Sequence, residues 1–289
     1  MRIENEELSV EASLHGGSLT SVFDRRSKRE WLYQPVEGSW KGQDIFQFPF
    51  VARLEGGTYE TEGKTYSLRN HGVLRYVDFQ GKKESSQAME LSFVSNAGTL
   101  EEFPYSFRAS VRYQLEGRKM TASYRVVNDD VKPFFFGCGC HPAFAVPGTP
   151  DENGQDIAGS RIEFPEEAVL YVQRTDSEGK FMTGEEFQVR TKEILLSRAL
   201  FRLYPTLILR TDVPSLTLVR KDGLRLRIER GKAPYLALWN DGRGPYVAIE
   251  QWYSLPDFLH APKELAQKKT LHLLLPHQSF SYSYSVLPE

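Results

Sequence analysis

Four stretches of the chain alternate polar and apolar side chains with a period of two: 105–115 (YSFRASVRYQL), 119–128 (KMTASYRVVN), 215–230 (SLTLVRKDGLRLRIER) and 279–287 (SFSYSYSVL). They mix β-branched and aromatic residues with polar ones. That period fits a strand with one buried face and does not fit a helix. Turn signals separate the stretches: Asp222-Gly223 and Glu116-Gly117 each predict a tight antiparallel hairpin. Only 193–201 (EILLSRALF) and 261–270 (APKELAQKKT) carry helix patterns, both short. Many short antiparallel strands joined by turns predict an all-β sandwich or barrel. No low-complexity linker and no fixed-period repeat divides the chain, so residues 1–289 read as one domain.

Composition excludes several classes. The net charge is -2 and no basic block stands out, which argues against a nucleic-acid partner. No run of about 18 apolar residues predicts a membrane span. The N-terminal MRIENEELSVEASLHGG has no apolar signal core, and the cytoplasm is the expected compartment. Phosphate-cradling GxxxxGK[ST], GxSxG and HExxH motifs are missing. Cys138 and Cys140 in GCGCHPAFAVP are expected to point to opposite faces as bystanders filling small core space, and their spacing is wrong for a zinc knuckle.

A few polar residues stand in apolar or turn-rich settings. His71 precedes Gly72, where backbone can approach a ligand closely. His141 is stiffened by Pro142. Glu250 ends the apolar run YVAI, where desolvation raises a carboxyl pKa towards the range useful to a general base. Arg53 ends FPFVAR and can present its planar fork to hydroxyls. Trp239, Trp252 and Tyr253 bracket the glutamate. Each also has an ordinary structural alternative: a turn-capping or core histidine, an ion-paired glutamate or arginine, a packed aromatic. His15, His260, His272 and His277 are read as structural or solvated.

Taken in order, FPFVARL, EGKTYSLRNHG, CHPAFAVP and YVAIEQWYSLPD resemble the aldose 1-epimerase (galactose mutarotase) family, in particular its bacterial mutarotase-like branch. The resemblance implies a galactose mutarotase-like β-supersandwich of antiparallel strands, with an open cleft for a monosaccharide. It implies interconversion of α and β anomers by ring opening, without metal or organic cofactor. In that scheme Glu250 is the general base, His141 the acid and His71 a second active-site histidine, while Arg53, Asn70 and Trp239 bind the sugar. The sequence departs from the family pattern in three places: no aspartate occurs in 200–209, where Tyr204-Pro205 stand; Gln251 replaces a common proline; and no aromatic follows Gly72 in HGVLR. The alternatives are a sugar-binding regulatory protein with degraded catalysis, or a hexose-6-phosphate 1-epimerase using Arg69 and Arg75. The expected assembly is a monomer or homodimer.

Overall fold

A computed structural model describes all residues, Met1–Glu289. Its main body is a fifteen-stranded sheet in which every paired ladder is antiparallel. One lateral path through it runs Phe46–Gln47, Gly139–Cys140, Tyr246–Trp252, Tyr235–Trp239, Thr206–Arg210 and Arg161–Thr175. It continues through Ser215–Val219, Arg225–Glu229, Ser279–Pro288, Lys119–Asn128, Phe107–Glu116, Ala88–Val94 and Gln80–Lys83. A separate four-stranded sheet spans Arg2–Glu30. No helix is long and apolar enough to cross a membrane.

The period-two stretches form the strands that their pattern dictates. In Phe107–Glu116 every second residue (Phe107, Ala109, Val111, Tyr113, Leu115) is buried. The register sets Val111 opposite Tyr124 and Tyr113 opposite Ala122, so apolar side chains stack across the ladder. Each fully buried large side chain contributes roughly 1.5–3 kcal/mol. The hairpin after Glu116 turns through Gly117-Arg118, with Glu116 itself pairing Lys119. At Asp222-Gly223 the connection is wider, covering 220–224, with Gly223 at φ 88°.

Both helix expectations shrink. Residues 193–195 stay in the strand Met182–Leu195, held by Arg161–Glu163, and the helix occupies Arg198–Leu203 behind a Ser197 cap. In 261–270 only a 3-10 turn, Leu265–Gln267, forms. There Lys263 O accepts the Glu60 N–H and Lys268 turns inward to an ion pair, which competes with helical hydrogen bonding.

Gly72 does admit a close backbone approach, but the group that approaches is the protein's own strand. A Cβ there would collide with the Phe48 carbonyl, and φ is 79°. Gly117 has a similar φ of 56° with nothing near its missing Cβ. Urea unfolding should therefore separate the two. Gly117→Ala is expected to cost about 1–2 kcal/mol, the left-handed penalty alone. Gly72→Ala should cost about 2–5 kcal/mol, because backbone cannot move aside as a side-chain end can.

Candidate active site

The site is laid out by the register of the strand Tyr246–Trp252, all of whose residues are buried. Successive side chains alternate faces, so Val247 and Ile249 enter the main core while Tyr246, Ala248, Glu250 and Trp252 face the other way. Its neighbour pairs Gly139 with Trp252, Cys140 with Gln251, and, beyond Pro142, Ala143 with Ala248. Pro142 has no N–H and interrupts the ladder, but the register continues unshifted. His141 is therefore carried opposite Glu250. On the outer side Ile45 O accepts the His141 N–H at 3.1 Å; on the inner side Ala237 pairs with Glu250 and Ile208 with Ala237. One row, Ile45, His141, Glu250, Ala237 and Ile208, thus crosses five chain segments.

The same alternation corrects the reading of GCGCH. Residues two apart share a face, so Cys138 and Cys140 both enter the core as free, buried thiols. Gly139 and His141 lie on the opposite face, where His141 lines a cavity. Gly139 is needed there, because a Cβ would collide with Gln47 Oε1.

Glu250 Oε2 accepts the Trp252 indole N–H at 2.8 Å and the Gln47 amide N–H at 3.1 Å. Glu250 Oε1 lies 3.3 Å from His141 Nε2. The Gln47 amide also donates to His71 Nδ1 at 3.0 Å, which takes a second bond, 3.2 Å, from the Ala52 N–H. Two donors on Nδ1 leave His71 its proton on Nε2, as a neutral hydrogen-bond donor. Ala52 and His71 both have left-handed backbone, φ 52° and 64°, at a cost of about 1–3 kcal/mol each.

These side chains surround a cavity of about 350 Å³, inside the range of small-ligand pockets, roughly 300–1,000 Å³. Glu250, His141, His71, Arg53, Asn70 and Trp239 all line it. Glu250 is the only carboxylate among the lining residues. The strand Thr206–Arg210 presents Thr206 and Ile208 where an aspartate was sought. Of the two arginines flanking His71, only Arg75 reaches the cavity. Arg69 pairs outside with Glu102 and lies 3.8 Å from the centre of the Tyr76 ring.

Burial governs the electrostatics. His141 is pushed down to about 3 and His71 well below its ordinary value, the latter also by His141, Arg75 and Arg53 nearby. Glu250 is pushed well above the carboxylate range, with the Trp252 and Gln47 bonds opposing. The site thus favours a neutral acid facing a neutral imidazole. Beneath it, buried Asp44 accepts N–H bonds from Ile45 (2.8 Å), His141 (3.2 Å) and Leu19 (3.3 Å), and burial raises it to about 6.

Sequence reasoning missed Trp40, Gln47, Lys180 and Asp44. Gln47 carries a signal like that of Glu250, a lone polar residue in an apolar strand (FQFPF). Trp40 and Lys180 come from loops, and nothing in their local pattern points inward. Trp40 stands 5.0 Å from the His141 ring and 5.4 Å from Trp239, edge-on to the latter, and its backbone N–H donates to Asp241 Oδ2 at 2.6 Å. Together these rings form an aromatic wall suited to the C–H face of a ring substrate.

The aldose 1-epimerase family model matches residues 1–285. The chain is 27% identical to the chromosomal LacX protein of Lactococcus lactis subsp. lactis, over 99% of this chain and 98% of that one. It is similar in structure to a galactose mutarotase-like protein of Lactobacillus casei: TM-score 0.92, 22% identity, covering 100% of this chain and 99% of the other. A galactose mutarotase related enzyme of Lactobacillus acidophilus gives 0.90 and 24%, covering 100% and 97%. The fold is thus the galactose mutarotase-like β-supersandwich.

A pH-dependent stability difference follows from the buried carboxyl. Its folded pKa lies above the unfolded value, so the folded state holds more protons and loses stability as pH rises past 4.5. His141 acts in the opposite sense, with stability lost as pH falls from 6.5 to about 3. Glu250→Gln removes the first effect. The variant should be more stable than wild type at pH 7 and melt at a higher temperature, each unit of pKa displacement being worth about 1.4 kcal/mol, with the gap closing near pH 4. A gap independent of pH would contradict the assignment.

Proposed function

The chain belongs to the aldose 1-epimerase family, and from that premise we propose that it interconverts the α and β anomers of an aldose, in the cytoplasm, by acid/base ring opening. The proposal rests on the facing pair: a carboxyl and an imidazole 3.3 Å apart on the floor of a sugar-sized cavity, aligned by sheet register. Glu250 takes the proton of the anomeric hydroxyl while His141 gives one to the ring oxygen. The C1–O5 bond breaks to leave an aldehyde, C1–C2 rotates, and closure on the other face reverses both transfers.

The roles of base and acid call for a carboxylate and an imidazolium, whereas burial favours the neutral pair. The two forms differ by one proton moved from Glu250 to His141, with none exchanged with solvent. Trp252 and Gln47 already aim donors at Glu250 Oε2 and so stabilise the carboxylate form. His71 Nε2–H and Arg53 supply donors to sugar oxygens and to charge developing on them. Trp239 and Trp40 receive the apolar face of the ring.

A second reading is favoured by one observation. Arg53 and Arg75 line the cavity with no carboxylate partner, against Glu250 as the sole lining acid; Lys180 also lines it but is ion-paired with Glu178. That balance suits an aldose bearing an anionic substituent such as a 6-phosphate.

Polarimetry of freshly dissolved α-aldoses and their 6-phosphates tests both. Glu250→Gln and His141→Asn should each slow anomer exchange by about 10²–10⁴-fold. Near-wild-type rates in both would refute the roles, and a lower KM for the 6-phosphates would select the second reading. Sugar binding without exchange in wild type would make the chain a binding or regulatory protein. The active pair holds one proton, so kcat/KM should stay flat through pH 6.5, falling near pH 3 and again above the carboxylate range. A limb at 6.5 would contradict it.

A further inference from the structure

Asp257 and Lys268 form a buried ion pair, Oδ2 to Nζ 2.6 Å, with both side chains almost fully enclosed. Isolating two charges from water costs several kcal/mol per ion, and stability alone is poorly served by such a pair. The bonds around Asp257 suggest what it does. Its N–H donates to Arg53 O at 3.0 Å, and Oδ2 also accepts the Glu55 N–H at 3.1 Å, so the chain is pinned on both sides of Leu54. Its carbonyl accepts the Met182 N–H at 2.9 Å, and the Met182 carbonyl accepts the Leu259 N–H at 2.9 Å. The turn ahead of Met182 is closed on itself: Asp176 Oδ1 accepts the Lys180 N–H at 2.7 Å, and the Asp176 N–H bonds Phe181 O at 2.9 Å. Arg53, Lys180 and the adjacent Pro256 all line the cavity.

We propose that the Asp257–Lys268 pair is a positioning device for substrate binding, clamping Arg53 and the Lys180 turn, from opposite halves of the chain, against one side of the cavity. This rests on the sugar-binding reading above. Asp257 forms no hydrogen bond or ion pair with a member of the His141–Glu250 row, which the sheet register aligns. The pair therefore acts on substrate affinity and leaves the proton transfers alone.

The test uses two variants of the full chain, Asp257→Asn and Asp257→Asn/Lys268→Met. Asparagine keeps the shape but removes the charge that fixes Oδ2 between Lys268 Nζ and the Glu55 N–H, and the double change leaves no buried charge unpaired. Both should fold by circular dichroism, raise KM about 10-fold with kcat within about 3-fold, and keep the wild-type pH limits. In an Arg53→Ala/Lys180→Ala background the same changes should leave KM where that background sets it, since they act through those two residues. An unchanged KM, a fall in kcat alone, or additive effects in that background would overturn the proposal. Failure of both variants to fold would assign the pair to stability only and overturn it as well. If wild type shows no anomer exchange, the enzymatic reading fails. Positioning is then read from the Kd for D-glucose and D-galactose by tryptophan fluorescence, with the same expected 10-fold weakening and the same refutation by an unchanged value.

Discussion

The unshifted register across Pro142 is the constraint on which the site depends. Two short pairings, at 139–140 and 143–145, share one alignment with the strand Tyr246–Trp252, and the proline between them removes a hydrogen bond without moving the chain. A slip of one residue would send His141 into the core and bring Cys140 to the cavity. Asp44 guards against that slip by holding the N–H groups of Ile45 and His141 on one carboxylate oxygen. The facing of His141 and Glu250 is here a by-product of sheet alignment.

The protein tolerates an arrangement that folding alone would reject. An acid, two imidazoles and an amide share a space where each charged form is disfavoured, and His141 Nδ1, Gln47 Oε1 and Asn70 Oδ1 are buried without partners. Unmet polar groups and left-handed residues concentrated in one place are expected where structure is held for chemistry. The surrounding sheet, with its large apolar core, supplies the stability that the site gives up.

Much of this was legible in the sequence because strand alternation is a local signal. The period-two runs located the strands, and the apolar run broken by Glu250 marked the cavity face. The resemblance in FPFVARL, SLRNHG, CHPAF and IEQWYSLPD identified residues that the structure brings to one cavity, although their roles there remain a proposal. The same alternation, applied correctly to GCGCH, separates core thiols from cavity residues. Illegible were contributions fixed only by tertiary path: Trp40 and Lys180 arrive on loops, and Asp257 gains its partners from three distant segments. The helix pattern at 193–201 was cut back to a helix beginning at Arg198 by strand pairing, and that at 261–270 was reduced to a single turn by the inward turn of Lys268.

The five-residue row has a consequence for how the chain builds its cavity. Its members come from positions 45, 141, 208, 237 and 250, so no contiguous stretch contains a working fraction of it. Contacts of such long sequence separation form late and slowly. A nascent or nicked chain lacking the last third has no carboxyl at the floor of the cavity, however much sheet it has built. Under the proposed function, the onset of turnover reports completion of the central sheet, a direct readout of conformational maturity during synthesis or refolding.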